Sequence, residues 1–399
     1  MVRRLGLGAM LLWWSALLAA APLQLWYEKY ELSTTLEALA AEFTRDSGLL
    51  LTATYMPNGE LRTTAMRAVA QGNSPDLLLV PSDFIGSRAP LRLSLVAEPL
   101  LAGIAPDARA TVTSRHGPFG VPVLYGNHLL LVYNKALVAN PATDWQMLLG
   151  QQAALSARGA KLIGWKAGEM YWLIPFLAAF GVEPVVDGQI RLDTPAMVEA
   201  LNFYKAQIDS GVGTLRCGYE CAQERFMAGE FAYAINGDWA LVPLYQALGA
   251  NLGVRTLPTI QGGQMRPYSG SIALLYPGDG LNGANREALQ ALTRFLQRPE
   301  VQQRLHAVGG LLPANAQAQR QLAASPRFGP DQQSIMDARL AQLALARPMP
   351  PEPEMAAAWA GLSKGFTLLM RGRGDAAAAA RLMQKVAEQE LVRLQAGRL

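Results

Sequence analysis

Histidine and cysteine are nearly missing: the 399-residue chain has three of the first and two of the second. That scarcity closes several chemistries at once. No H-E-x-x-H pair exists to hold zinc, and two cysteines without a nearby histidine pair make a poor metal site. There is no G-x-x-x-x-G-K-[ST] loop and no Rossmann glycine set, so nucleotide chemistry lacks its cradle. A G-x-S-x-G pattern occurs once, "GLSKG" at Gly361 to Gly365. A nucleophile elbow needs a strand before its serine, whereas "MAAAWA" and "FTLLM" read helical on both sides. No acid can be matched to His116, His128 or His306 in a triad. Paired carboxylates of a glycosidase could sit in any acidic pair, and nothing singles out two of them. Charge is also sparse, at 17% of residues, with 35 basic and 31 acidic side chains interspersed. A formal +4 spread in this way forms no stripe for a nucleic acid. No cofactor and no metal are expected.

What is present begins with "MVRRLGLGAMLLWWSALLAAAPLQ". Two arginines, an apolar run from Leu5 and small residues at Ala19, Ala20 and Ala21 have the layout of a secretory signal peptide over residues 1–21. An uncleaved anchor helix is the alternative, because Leu5 to Leu23 is interrupted among polar residues by Ser15 alone. No cysteine lies near enough for a lipoprotein anchor. The expected location is therefore the periplasm or the outside. There, Cys217 and Cys221 in "RCGYEC" form a candidate local disulfide. At 51% hydrophobic residues, the chain is too long for one ordinary core and apolar enough for two.

After the leader the pattern alternates. "LQLWYE" reads as a strand, and Leu36, Leu39, Ala40 and Phe43 recur at helical spacing behind a Thr34/Glu37 capping box. Gly48 stops that helix. A strand "LLLTATYM", a helix from Glu60 to Gln71 and a strand "SPDLLLV" follow. Short strands alternating with helices predict an α/β architecture with a mostly parallel sheet, whose ligands meet the carboxyl ends of the strands. A second unit repeats the alternation from "AKLIGW" to "LGVRTLP", and beyond "SGSIALLYP" only helices are expected. The last of these places Met383, Val386, Ala387 and Leu394 on one face, as a packing helix does.

Six fragments in order carry a resemblance: "LEALAAEFTRDSG", "GNSPDLLLVPSDFIG", "FGVPVLYGNHLLLVYNK", "AQERFMAGEFAYAINGDWAL", "VRTLPTIQGG" and "YSGSIAL". The set is similar to the extracellular solute-binding proteins of ABC importers, in their carbohydrate-binding, maltodextrin-binding-protein-like branch. The resemblance runs from about Leu23 to the C-terminus. It implies a two-lobed periplasmic-binding-protein fold with discontinuous α/β lobes joined by a hinge. Residues 22–126 and 271–325 would form the N-terminal lobe, and residues 127–270 and 326–399 the C-terminal one. It further implies a monomer that closes on a sugar and delivers it to the membrane subunits of an ABC permease.

Carried over position by position, the resemblance makes Trp239 in "INGDW" the stacking aromatic, with Tyr171 and Trp359 as further cleft aromatics and Glu169 a nearby acid. Asp83, Glu28 and Glu31 would reach the ligand from the first lobe, Asn127 stands where the branch has an acid, and Ser271 would lie near a crossing. Plainer readings stand beside these. Trp239 could simply fill space, one of the adjacent helical aromatics Tyr171 and Trp172 would normally face inward, Glu28 and Glu31 could be solvated loop acids, and Ser269 and Ser271 could be turn residues. Trp165, at a strand end, could line the cleft or pack in the core. Val80, Phe84 and Asn127 replace a tryptophan, an arginine and an acid of the long-glucan pattern, so a mono- or disaccharide is the expected ligand. The alternatives are glycerol phosphate or another small polar solute, a secreted hydrolase of the same sugars, and a binding protein that serves a receptor.

Overall fold

The computed structural model describes residues 21–324 and 329–396. The leader read at residues 1–21 lies, but for its last residue, outside them. Among the described residues no helix is long and apolar enough to cross a membrane.

The strand Leu23–Tyr27 buries Leu23, Leu25 and Tyr27 in alternation. It pairs in parallel with Leu51–Tyr55 on one side and Leu77–Pro81 on the other. Helices Ser33–Ser47 and Asn58–Ala70 carry the chain back between them, as parallel pairing requires. Gly48 ends the first helix in the left-handed region, at φ 74°. The Thr34/Glu37 capping box does not form. A 3-10 turn, Tyr30–Leu32, runs straight into the helix, and the Ser33 hydroxyl donates to the Tyr30 carbonyl at 2.6 Å. Thr34 therefore lies inside the first turn, too late to cap it.

Two sheets result. The first runs Leu312–Pro313, Val121–Gly126, Tyr268–Leu275, Leu77–Pro81, Leu23–Tyr27, Leu51–Tyr55. The second runs Leu252–Arg255, Leu129–Asn134, Phe231–Gly237, Lys161–Gly164. Both are mixed rather than parallel: Tyr268–Leu275 is antiparallel to its neighbours Leu77–Pro81 and Val121–Gly126, and Leu129–Asn134 is antiparallel to Phe231–Gly237. Each sheet has its own buried clusters, one set around Leu25, Phe43 and Phe295, the other around Trp145, Phe176 and Tyr204. Val80 and Phe84 are core residues of the first. The fold is a two-lobed α/β one.

Only Asn127 and His128 separate the strands Val121–Gly126 and Leu129–Asn134, which belong to different sheets. This link is sharply shaped: Gly126 has φ 116° and Asn127 φ 44°. A Cβ on Gly126 would stand 2.5 Å from Asp238 Oδ2, so the carboxylate packs directly on the crossing backbone. Farther along, the stretch read as helical around "LTRFLQRPEVQQ" divides into Arg286–Leu296 and Pro299–Gly309. Pro299 has no N–H to continue the first helix and opens the second instead. The region expected to hold only helices also contains two very short strands, Leu312–Pro313 and Arg347–Pro348.

The last two helices, Pro353–Met370 and Ala376–Gln395, lie against each other at Gly361 and Gly365. A Cβ on Gly361 would come 2.3 Å from the Met383 carbonyl, and one on Gly365 would come 2.5 Å from that of Ala379. The "GLSKG" pattern is thus a helix-crossing motif, with Ser363 in mid-helix and no strand before it. Met383 and Ala387 are buried in this contact, while Val386 and Leu394 are half-buried.

Candidate functional site

Strand ends of both sheets open onto one cleft of about 650 Å³, within the range of roughly 300–1,000 Å³ typical of small-molecule sites. From the first sheet come Glu28 and Lys29, just past Tyr27, and Asp83, just past Pro81. From the second come Lys166, Glu169, Tyr171 and Trp172 after Gly164, and Trp239 after Gly237. Trp359 and Leu394 arrive from the two terminal helices. Seven of the nine residues named from the sequence line this cleft: Glu28, Asp83, Asn127, Glu169, Tyr171, Trp239 and Trp359.

Two do not. Ser271 is fully buried, its hydroxyl engaged with that of Thr111 at 2.7 Å and donating to the Ala108 carbonyl. It is a strand residue held in the core of its sheet. Glu31 is exposed outside the lining, because the turn Tyr30–Leu32 buries Leu32 and sends its neighbour outward. Trp165 is core as well, its indole donating to the Tyr204 hydroxyl at 2.8 Å.

The second-lobe wall is aromatic. Trp239, half-buried, meets Trp172 edge-on with ring centroids 6.0 Å apart, and Tyr171 at 6.4 Å. Trp359 adds its ring 6.4 Å from Tyr171. Three of the four rings, Trp239, Trp172 and Tyr171, are also tied by their polar ends. The Trp239 indole donates to the Tyr219 hydroxyl at 3.0 Å, and that of Trp172 to the Ile235 carbonyl at 2.9 Å. The Tyr171 hydroxyl lies between the carbonyls of Asn127 and Tyr268 and is spent on them. Tyr171 thus offers a solute its ring, while its hydroxyl grips the backbone where the chain passes between lobes.

The rim is charged and internally paired. Arg62 donates to Asp83 at 2.5 Å and stacks 4.0 Å over the Phe84 ring. A guanidinium therefore reaches this corner from a helix rather than from position 84. Lys166 lies 3.3 Å from Glu169, and Lys29 lies 3.9 Å from Glu28. The Lys29 ammonium also sits 4.9 Å above the Trp239 ring. Lys29, Arg62, Lys166, Trp172 and Tyr219 were not singled out in the sequence. The strand-end argument applied to Trp26–Tyr27 and Gly164–Trp165 would have reached the two lysines. Arg62, in mid-helix, leaves no such signal.

Burial pushes the Glu28 carboxyl up to about 7; the Lys29 ammonium opposes this, and the Asp83 and Glu31 charges add to it. The folded protein holds a proton on Glu28 that the unfolded chain releases near 4.5. The resulting stabilisation is complete below that value and is lost as pH rises from 4.5 to about 7. The loss amounts to at most about 3 kcal/mol. Urea titrations across this window should show the loss in wild type and not in Glu28→Gln; parallel curves for the two proteins would refute it.

Behind Trp239, Asp238 is fully buried. It accepts from Arg339 Nη2 at 2.9 Å and from the His128 backbone N–H at 3.2 Å. Burial holds the His128 imidazole below its ordinary pKa, against the pull of Asp238. In the second lobe, Cys217 and Cys221 are joined by a disulfide, with Cα atoms 5.3 Å apart.

An aromatic wall and a self-neutralised polar rim facing each other across two hinged lobes define a solute-binding protein. A family model described as bacterial extracellular solute-binding protein matches residues 38–330, and the chain belongs to that family. A relative, the maltodextrin-binding protein MdxE of Bacillus subtilis (strain 168), is 24% identical over 310 residues, covering 73% of this chain and 71% of its own. Among solved structures, the maltose/maltodextrin-binding domain MalE from Bdellovibrio bacteriovorus bound to maltotriose matches with TM-score 0.82 at 24% identity. That match covers 93% of this chain and all of the other, and it establishes the fold.

Proposed function

We propose that this protein captures a neutral sugar, a mono- or disaccharide, between its lobes and presents it to an ABC permease from the periplasm, without turning it over. Trp239 stacks on a ring face, Tyr171 and Trp359 close the same side, and Glu28, Asp83, Asn127 and Glu169 receive hydroxyl hydrogen bonds. Ser271 and Glu31 have no part in this.

One observation carries the reading. Every basic side chain lining the cleft already has an acid beside it: Arg62 with Asp83 and Lys166 with Glu169 as ion pairs, and Lys29 with Glu28, whose carboxyl holds its proton up to about pH 7. A phosphate or carboxylate ligand would have to break such a pair, leaving a carboxylate against the anion. Hydroxyls donate and accept at once, so they insert between paired charges without that penalty. The rim therefore supports a sugar over glycerol phosphate. The known ligands of the two relatives, maltodextrin and maltotriose, point the same way.

A hydrolase is the second reading, favoured by Glu28 alone, since a buried carboxyl raised to about 7 resembles a general acid. A second carboxylate is needed opposite it, and both Asp83 and Glu169 are held by cations. Thermal-shift and calorimetric screening against a sugar panel with glycerol phosphate included decides among the three. A ligand at a hundred times its Kd adds about 2.7 kcal/mol. Stoichiometric heat without product supports capture; accumulating monosaccharide, or a shift with the phosphate alone, overturns it.

A further inference from the structure

Tyr219 is the residue on which the Trp239 indole rests, and it lies inside the five-residue loop closed by Cys217 and Cys221. The helix that carries it, Tyr219–Met227, has nine residues and no side-chain cap, because its N-cap is Gly218. A helix this short is marginal alone, and its first turn is the part that frays. The chain before it, from Gly211 to Gly218, has no helix or strand to hold it. The disulfide spans this first turn, and Cys217 is buried in one cluster with Phe226 and Phe231.

We infer that the Cys217–Cys221 disulfide is a positioning element of the solute site: it fixes Tyr219, whose hydroxyl fixes the Trp239 ring. This rests on the proposed role of Trp239 as the stacking aromatic. So short a loop constrains little of the unfolded chain, so its effect is felt locally, at the cleft. Tyr219 lines that cleft, beside Trp172 with ring centroids 6.1 Å apart. Loosening its turn releases Trp239 from the indole hydrogen bond and leaves the ring to be ordered again each time a solute binds. Ordering of this kind weakens binding without removing any contact to the solute.

The test compares wild type, Cys217→Ser/Cys221→Ser, Tyr219→Phe and the triple variant by calorimetry with the tightest sugar of the panel. The double variant should bind about tenfold more weakly through lost preorganisation, while its cooperative unfolding persists. Tyr219→Phe should lose affinity too, and the triple variant should lose no more than the double, because both changes act on one contact. Reducing wild type with an excess dithiol should reproduce the loss: two electrons from the dithiol cleave the S–S bond, giving two cysteine thiols and the cyclic disulfide of the reagent. Unchanged affinity without the disulfide, or fully additive losses, overturns the inference. Should the oxidised wild type bind no sugar, the sugar reading fails. Hydrogen exchange at the Trp239 indole N–H, faster without the disulfide and unchanged if the inference is wrong, then decides the positioning role by itself.

Discussion

Trp239→Ala is expected to weaken sugar binding roughly 30- to 1,000-fold, the 2–4 kcal/mol or so that removing a central, well-packed tryptophan costs. Three supports converge on this ring: the Tyr219 hydroxyl at its nitrogen, the edge of Trp172 beside it and the Lys29 ammonium over its face. The first two hold the indole in one orientation before a solute arrives. A sugar stacked on the face that Lys29 covers would displace the ammonium. On that face the net gain is stacking less a cation–π contact, which is why the range stops short of the largest values known for buried anchors. Calorimetric titration of the folded variant is the measurement, and an affinity within threefold of wild type would remove Trp239 from the role of principal contact.

The largest effect on stability should come from Arg339→Met, about 3–5 kcal/mol, because it strands Asp238 as an uncompensated buried charge. Both side chains are almost wholly buried, and the carboxylate has the His128 N–H as its other donor. In the wild type the imidazole contributes little, since burial and the Arg339 charge hold its pKa below the ordinary value against the pull of Asp238. Combining Arg339→Met with Asp238→Asn should recover much of the loss, as removing both members of a buried pair does. Urea denaturation of the single and double variants measures both steps. A single variant within 1 kcal/mol of wild type would show that solvent or a rearranged neighbour neutralises Asp238.

The fold was legible because the signals were repeated: alternating strands and helices twice over, and six family fragments in order. What the sequence missed was local. The capping box at Thr34 failed because a 3-10 turn started the helix two residues early. Such a turn depends on tertiary packing of Leu32, which no capping pattern encodes. The cleft's aromatics were legible as aromatics following strands. Which polar atoms they would spend inward was not: the Tyr171 hydroxyl is consumed by the Asn127 and Tyr268 carbonyls, which are 44 and 97 residues away in the chain. Arg62 hid for the same reason. Its helix gave no reason to aim it at Asp83, and its arrival there supplies the cation that position 84 lacks. Ser271 misled because a serine at a lobe crossing and a serine inside a sheet look alike until its hydroxyl finds Thr111.

The glycine contact between the two terminal helices has a bearing on how the mouth can adapt. Because Gly361 and Gly365 bring the helix backbones close, with Met383 and Ala387 filling the seam, little room is left for the two helices to shift. Trp359 stands half a turn from Gly361 on the same helix, so its perch is as stiff as the helix pair. That face of the opening behaves as an anvil. Tolerance for solutes of different outline must then come from the opposite face, where Lys29 and Arg62 reach in on long flexible stems, and selection for a new sugar would act there first.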